Sequence, residues 1–179
     1  MRTLAKWSVE DYHRMIEAGI LSDRRVELIE GEIIEMSPEG PLHVFVNDKT
    51  AEYLRQRLKG LAKIREAHPI TLANSEPEPD IAIVRLPDTI YLTRHPYPED
   101  IYWLIEIADS TVAEDLRTKK KIYARAEIAE YWVIDVQTKK ITIFRQPQED
   151  NYLTEQKIER GTITPLAFSH VAIEVNKLF

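Results

Sequence analysis

Two carboxylates occupy positions where a charged side chain is costly. Asp80 opens the short apolar segment 80–84, directly after the run 76–79, and Glu106 lies inside 101–107, the most apolar segment of the chain. A buried carboxylate must be paired or must bind a cation, because its desolvation is otherwise too costly. If the two segments are neighbouring strands, Asp80 and Glu106 converge at one end of a sheet. Two hard oxygen ligands at that point suit Mg²⁺ or Mn²⁺.

A third candidate is a lysine on a helix predicted over residues 111–126. The apolar stripe of this helix consists of Val112, Leu116, Tyr123 and Ala126. At about 100° per residue, Lys119 falls near the middle of the stripe, Lys120 lies toward its edge and Lys121 points nearly opposite. A buried ammonium needs a carboxylate partner, and Asp115, one helical turn earlier, could provide it.

Acidic and lysine side chains around a divalent cation are typical of phosphodiester hydrolysis. The carboxylates hold the cation, which polarises a phosphoryl oxygen and lowers the pKa of a bound water. The lysine orients that water or offsets the charge that develops on the phosphate. Each residue also has a simple structural interpretation. Asp80 can begin a strand after a proline-rich turn, whereas Glu106 and Lys119 can form a structural ion pair.

The elements that must position these residues follow from hydrophobic periodicity and from turn and cap residues. Between residues 43 and 136 their order is helix, three strands, helix and strand, which predicts an α/β fold with a mixed sheet. The predicted elements are a helix over 8–18, a hairpin over 25–36, a helix over 43–58, strands over 62–72, 80–84 and 101–107, a helix over 111–126 that Thr111 caps with Glu114, strands over 130–136 and 141–145, and weaker strands near 152–158 and 173.

The composition narrows the class of protein. The chain has 179 residues, so we expect a single domain over 1–179. Its formal net charge of −6 argues against a protein that coats nucleic acid nonspecifically. Within it, 1–42 is an N-terminal helix and hairpin extension, 43–136 is the core and 137–179 forms C-terminal strands. Because the chain has no cysteine, any metal must be held by oxygen or imidazole ligands. No segment has the pattern of a signal peptide or a membrane span, so the expected location is the cytoplasm.

Seven short motifs occur in an order that resembles one family over nearly the whole chain. They are residues 26–32 (VELIEGE), 36–38 (MSP), 77–80 (PEPD), 104–107 (LIEI), 115–119 (DLRTK), 123–124 (YA) and 130–135 (EYWVID). The chain resembles the Uma-type family of proposed restriction endonucleases, whose members are similar to the PD-(D/E)XK nucleases. No single motif is specific, but the ordered set is.

The resemblance implies a restriction-endonuclease-like core and a metal-dependent DNA endonuclease that uses Mg²⁺ or Mn²⁺. Asp80 would be the aspartate of the motif and Glu106 its second acid, and both would bind the metal. The sequence departs from the nuclease pattern at Ala108, where the lysine of the motif is expected. In such variants the lysine can come from the following helix, and Lys119 is the candidate that the helical geometry favours.

Glu27 and His43 are further candidates, since both match positions of the family. Glu27 has the alternative of a charge on the surface of a hairpin strand. His43 could contact a phosphate or a metal-bound water, or it could be a polar residue at the start of a helix. Arg117 and Lys120 are the candidates for nucleic-acid binding. They belong to one of two basic clusters, whose members are Arg55, Arg57, Lys59, Lys63 and Arg65, and Arg117, Lys119, Lys120, Lys121 and Arg125.

Two other functions remain open from the residues alone. The chain could be a catalytically inactive nuclease-fold module that binds nucleic acid or a protein partner, which Ala108 and the acidic balance favour. It could also hydrolyse another phosphate ester with the same site. A homodimer is plausible because cutting two strands takes two sites, and the apolar strands near residues 136–144 are expected to be exposed.

Overall fold

The computed structural model describes residues 3–109 and 113–179, with side chains from residue 116 onward in the second range. Within these ranges the chain forms three α-helices and ten strands, together with short 3₁₀ helices. The α-helices are α1 (Val9–Glu17), α2 (Pro41–Arg57) and α3 (Ala113–Arg125). The strands are β1 (Val26–Ile29), β2 (Glu32–Glu35), β3 (Lys63–Glu66), β4 (Ile81–Val84), β5 (Ile101–Ala108), β6 (Glu130–Asp135), β7 (Lys140–Gln148), β8 (Asn151–Ile158), β9 (Thr162–Ile163) and β10 (Ile173–Glu174). The 3₁₀ helices are Asp88–Leu92, Pro98–Asp100 and Val175–Lys177.

Local sequence signals explain the N-terminal elements. Ser8 begins α1 with a capping box: its Oγ accepts a hydrogen bond from the Asp11 amide at 3.0 Å, and the Asp11 carboxylate accepts one from the Ser8 amide at 3.2 Å. β1 and β2 form the predicted hairpin, and its turn residues Glu30 and Gly31 have φ values of 48° and 78°. A Cβ at Gly31 would lie 2.9 Å from Cβ of Lys6, so glycine also permits a close approach of the segment before α1.

A six-stranded mixed sheet in the order β3-β4-β5-β6-β7-β8 forms the centre of the fold. β5 and β6 are parallel and α3 connects them, whereas the other neighbouring strands are antiparallel. Side chains of β5 alternate between two cores: Trp103 and Ile105 pack on the α2 side, and Leu104 packs with Ile122 and Tyr123 of α3. β5 is therefore buried on both faces, as its apolar sequence predicts.

The element order α2, β3, β4, β5, α3, β6 confirms the predicted core and the α/β fold class with its mixed sheet. The N-terminal helix and hairpin precede this core, also as predicted. Among the helices that the structure describes, none has both the length and the apolar composition that crossing a bilayer requires. The predicted caps Thr111 and Glu114 lie outside the described residues and side chains.

The strand predicted over 62–72 is shorter than expected. β3 ends at Glu66 because Ala67 has a φ of 45°, which turns the chain out of the sheet. The Ala67 amide then donates to the Asp80 carbonyl at 3.0 Å, and the chain from 67 to 80 returns to β4 as a loop. Conversely, β8 extends over eight residues and is a full edge strand rather than a weak one.

The strands near residues 136–144 are not exposed, so that expectation was wrong. Ile141 and Ile143 are fully buried, and Val136 and Phe144 are nearly so. β7 lies between β6 and β8 in the sheet, and both of its faces are covered by the two cores. These side chains are therefore not available as an exposed apolar surface for a second copy of the chain.

Candidate active site

A cavity of about 420 Å³ lies where the β1–β2 hairpin, the N-terminal end of α2, the adjoining ends of β4 and β5, and α3 meet. All five residues that the sequence singled out for chemistry line it. They are Glu27, His43, Asp80, Glu106 and Lys119. They come from five different segments of the chain, so only the tertiary fold brings them together.

The sheet register places Asp80 and Glu106 side by side. Ile81 of β4 pairs with Ile105 of β5, so one further step along the antiparallel register sets Asp80 opposite Glu106. Side chains on directly opposed residues point to the same face of a sheet. The Asp80 Oδ2 atom accepts a hydrogen bond from the Ile107 amide at 2.6 Å, which ties this carboxylate to the end of β5. The expected convergence of the two acids at one sheet end is what the fold provides.

Glu106 is buried and receives two hydrogen bonds from α3. Only 3% of Glu106 is exposed. The Lys119 ammonium lies 3.4 Å from its carboxylate oxygens, and the Tyr123 hydroxyl donates to Oε1 at 2.7 Å. Burial raises the pKa of Tyr123 well above its ordinary value, so the phenol stays protonated and remains a donor. The two contacts fix the orientation of the Glu106 carboxylate.

Lys119 lies between two acids rather than beside one. Its Nζ atom is 3.7 Å from Oε2 of Glu27 and 3.4 Å from Glu106, and each of the three side chains is about 95% buried. The backbone amide of Glu78 donates to the same Glu27 oxygen at 3.0 Å. Glu27 therefore lines the cavity as a buried side chain, and the interpretation of it as a surface charge was wrong. Asp115, the partner expected for Lys119, has a side chain outside the described set.

His43 stands in the first turn of α2 and faces two carboxylates. Its Nε2 atom lies 3.2 Å from Oδ2 of Asp80, and its Nδ1 atom lies 3.5 Å from Oε2 of Glu39. The hydrogen bond to Asp80 raises the pKa of His43, which favours the imidazolium. A protonated imidazole at the cavity wall is a hydrogen-bond donor for an anionic ligand.

Four further acidic residues line the cavity, and the sequence analysis singled out none of them for chemistry. Burial raises the pKa of Glu78, whose backbone also holds Glu27. Asp109, which follows β5, accepts a hydrogen bond from Gln137 at 2.9 Å and lines the cavity. The seven acidic lining residues are Glu27, Glu35, Glu39, Glu78, Asp80, Glu106 and Asp109, and Lys119 and His43 are the basic ones. No local sequence signal marks Glu78 as a lining residue, because its position depends on the tertiary contact of residues 77–80 with the β1–β2 hairpin.

The donor set fits a cation that keeps much of its water. Within the described residues, no three histidine, aspartate or glutamate side chains are grouped closely enough to enclose a metal ion. Asp80 and Glu106 nevertheless offer two carboxylates on one face of one cavity. Mg²⁺ commonly binds through one or two carboxylates and retains several waters. The residues present are therefore compatible with a hydrated divalent ion.

The remaining predicted residues lie on other parts of α3. The burial of the three consecutive lysines follows the predicted order, with Lys119 buried, Lys120 half-buried and Lys121 exposed. The Lys120 ammonium sits 4.4 Å from the ring centroid of Phe144 on β7. Arg117 is exposed. Neither Arg117 nor Lys120 lines the cavity, so the structure does not bring them to the other five residues.

Comparison with known proteins agrees with this architecture. A family model described as "Uma2: Putative restriction endonuclease" matches residues 9–176. A solved structure from Anabaena variabilis ATCC 29413, described as a "putative nuclease belonging to DUF820", is similar with a TM-score of 0.68. The match covers 88% of this chain and 90% of that chain at 17% sequence identity, which shows a shared fold. No functionally curated protein matches. Because the family match covers nearly the whole chain, the resemblance inferred from the motifs is confirmed and this protein belongs to the Uma2 family.

Proposed function

We propose that this protein is a divalent-metal-dependent DNA endonuclease. The observation that carries the proposal is the buried Glu27–Lys119–Glu106 cluster, which shares a cavity with Asp80 and His43. Two buried acids and a buried lysine at a cavity wall are costly, and a structural ion pair alone has no need of an opening. Membership of a family described as restriction endonucleases supports phosphodiester hydrolysis as the reaction.

Each residue has a role that its contacts support. Asp80 and Glu106 would hold Mg²⁺ or Mn²⁺, which when bound would act as a Lewis acid on the phosphate and acidify a water. Lys119 would hold the attacking water or offset the charge that develops on the phosphate. It would thereby replace the lysine of the nuclease motif, whose position is occupied by Ala108 in this chain. Glu27 would position Lys119 at 3.7 Å, and Tyr123 would position Glu106.

His43 would contact the phosphate or a metal-bound water from the wall of the cavity, beside Asp80. In the proposed reaction the water oxygen bonds to phosphorus and one P–O ester bond breaks. The leaving oxygen then takes a proton, so one phosphodiester and one water give a phosphate monoester and an alcohol.

The test is nicking of supercoiled plasmid in Mg²⁺ or Mn²⁺. We expect metal-dependent nicking by the wild type and a loss of about 100-fold or more in Asp80→Ala and Glu106→Ala, the scale of removing a group that stabilises transition-state charge. Lys119→Ala should lose cleavage while it still binds the metal, as measured by calorimetry. Asp88→Ala and Glu159→Ala are matched controls, because both residues are exposed and pair with surface lysines.

No nicking by wild type in any divalent metal, despite tight metal binding, would contradict the proposal. It would favour a nuclease fold that binds nucleic acid or a protein without cutting. Nicking that survives in both acid variants would show that a contaminating enzyme or another site is responsible. A soluble nucleotide ester assayed beside the plasmid separates DNA cleavage from general phosphate-ester hydrolysis.

A further inference from the structure

A second cavity adjoins the candidate active site. It has a volume of about 540 Å³ and lies between α1, the segment that leads into β1, and β1 itself. Glu78 lines both cavities, so the two cavities are neighbours. The lining residues of the second cavity are Tyr12, Ile16, Leu21, Ser22, Asp23, Arg24, Arg25, Val26 and Glu78.

The two cavities differ in charge. The first has seven acidic side chains against one lysine and one histidine, whereas the second balances Arg24 and Arg25 against Asp23 and Glu78. Arg25 reaches from the second cavity to Glu39 of the first, where its guanidinium donates to Oε1 at 2.6 Å. In the part of the chain that the structure describes, the exposed Arg24 makes no ion pair. A guanidinium that is not already paired is available for a bidentate contact with a phosphate.

The second cavity also has an apolar wall. Ile16 is 49% exposed on α1, and Leu21 follows it after the turn at Gly19. Tyr12, between them and β1, is buried and donates its hydroxyl to the Val26 carbonyl at 2.9 Å, so this wall is fixed to the sheet side of the molecule. An apolar wall beside two guanidinium groups is complementary to a sugar–phosphate unit, which is apolar on the sugar ring and anionic on the phosphate.

We propose that the second cavity is a nucleotide subsite, which binds the sugar–phosphate unit next to the phosphodiester in the first cavity. Arg24 contacts its phosphate, and Ile16 and Leu21 contact its sugar. This inference rests on the proposed function, because it assigns the neighbouring unit of the same DNA strand. The subsite explains how DNA is retained beside a strongly acidic cavity, because the attractive contacts are made to the neighbouring nucleotide of the strand.

The test is the salt dependence of DNA binding, measured by fluorescence anisotropy of a short labelled hairpin duplex in Ca²⁺. Each phosphate contact contributes about 0.9 to the slope of log K against log salt concentration for duplex DNA. We expect Arg24→Ala to weaken binding and to reduce this slope by about 0.9. Arg24→Lys keeps the charge and should keep the slope.

Lys59→Ala is the matched control. Lys59 is exposed beyond the C-terminal end of α2, a helix of 17 residues whose other end borders the first cavity. At 1.5 Å per residue, the length of α2 places Lys59 roughly 25 Å from the end of the helix that borders the first cavity. The slope of log K against log salt concentration for Lys59→Ala should equal that of wild type.

Three results would overturn the subsite: an unchanged slope in Arg24→Ala, an equal loss in Lys59→Ala, or no DNA binding by wild type. Cleavage is measured separately on plasmid. An inactive wild type would contradict the nuclease proposal, while the comparison of slopes would still decide the subsite.

Discussion

At the scale of single residues, the candidate site depends on one buried ammonium shared by two buried carboxylates. Lys119 lies 3.7 Å from Glu27 and 3.4 Å from Glu106, and all three side chains are almost fully removed from water. Burying three charges is costly, and the cost is offset only while the lysine stays between the acids. The Tyr123 hydroxyl bond adds a further partner for Glu106.

Replacement of this lysine should therefore destabilise the whole fold. In Lys119→Met, Glu27 and Glu106 lose the cation between them, and we expect the free energy of unfolding to fall by about 3–5 kcal/mol. Urea denaturation without divalent metal at neutral pH measures it. Mg²⁺ should restore part of the loss, since a ligand that binds only the folded state stabilises it.

The control for this variant is Lys157→Met. Lys157 pairs with Glu155 on the exposed edge strand, and its side chain is 66% exposed. Loss of such a surface pair should cost less than about 1 kcal/mol. An equal effect of both substitutions would show that the Lys119 contacts add nothing to stability.

At the scale of elements, a buried acid outside the candidate site holds the C-terminal segment against the sheet. Glu130, the first residue of β6, has no exposed surface. Its carboxylate accepts hydrogen bonds from Trp132 at 2.8 Å, from Arg145 of β7 at 2.6 Å, and from the Leu166 amide at 2.7 Å. Arg145 also donates to the Thr164 carbonyl at 2.8 Å. One carboxylate thus connects two strands to the chain that follows β9.

Arg145→Met should leave the Glu130 carboxylate buried without its cation. We expect a loss of about 3–5 kcal/mol in unfolding free energy, the cost of breaking a buried pair from one side. Thermal and urea denaturation measure it. In the matched variant Arg14→Met, the exposed pair of Arg14 with Glu10 on α1 is removed, and the expected loss is about 0.5 kcal/mol or less. A small effect at Arg145 would argue that Trp132 and the Leu166 amide alone satisfy Glu130.

The elements themselves were largely predictable from local signals. The cap at Ser8, the turn at Glu30 and Gly31, and the apolar β5 each carry their own sequence signature. The strand over 62–72 was predicted too long, since its apolar residues beyond Ala67 serve a loop that returns to β4. Apolar character alone does not distinguish a strand from a buried loop.

Residues of the candidate site were predictable where a charged side chain lies within an apolar segment, because burying an unpaired charge is energetically costly. Asp80, Glu106 and Lys119 are charges within apolar patterns, and a buried charge needs a partner. Glu27 sits in a segment that alternates acidic and apolar residues and therefore resembles a surface strand. Its burial comes from a distant part of the chain, because Glu76 bridges to Leu28 and covers β1. No local pattern records that contact.

At the scale of the whole molecule, the six-stranded sheet connects the two larger cores, and a third, smaller cluster of Tyr12, Val26 and Leu28 joins α1 to β1. Strands β4 to β7 contribute side chains to both faces, so neither core can be lost without exposing the other face of the same strands. Such sharing favours cooperative unfolding. It also supports the proposal that residues 1–179 form a single domain.

This architecture predicts one unfolding transition. Fluorescence reports Trp103 and Trp132, which are fully buried in the α2-side core, and far-UV circular dichroism reports helices on both sides of the sheet. The two signals should have the same midpoint in urea. Separate midpoints would show that the N-terminal helix and hairpin, or the C-terminal strands, unfold independently. A Trp7→Phe background removes the half-exposed tryptophan from the comparison.

The excess of carboxylates around the first cavity has a consequence for the order in which ligands arrive. A nucleic acid brought to seven acidic side chains meets repulsion until a divalent cation has reduced that charge. Under the proposed function, cation and nucleic acid are therefore cooperative ligands, and thermodynamic linkage requires each to raise the affinity for the other by the same factor. At a low concentration of divalent cations the protein would thus bind neither ligand even where DNA is abundant. As the cation concentration rises, it would bind the metal and the DNA together.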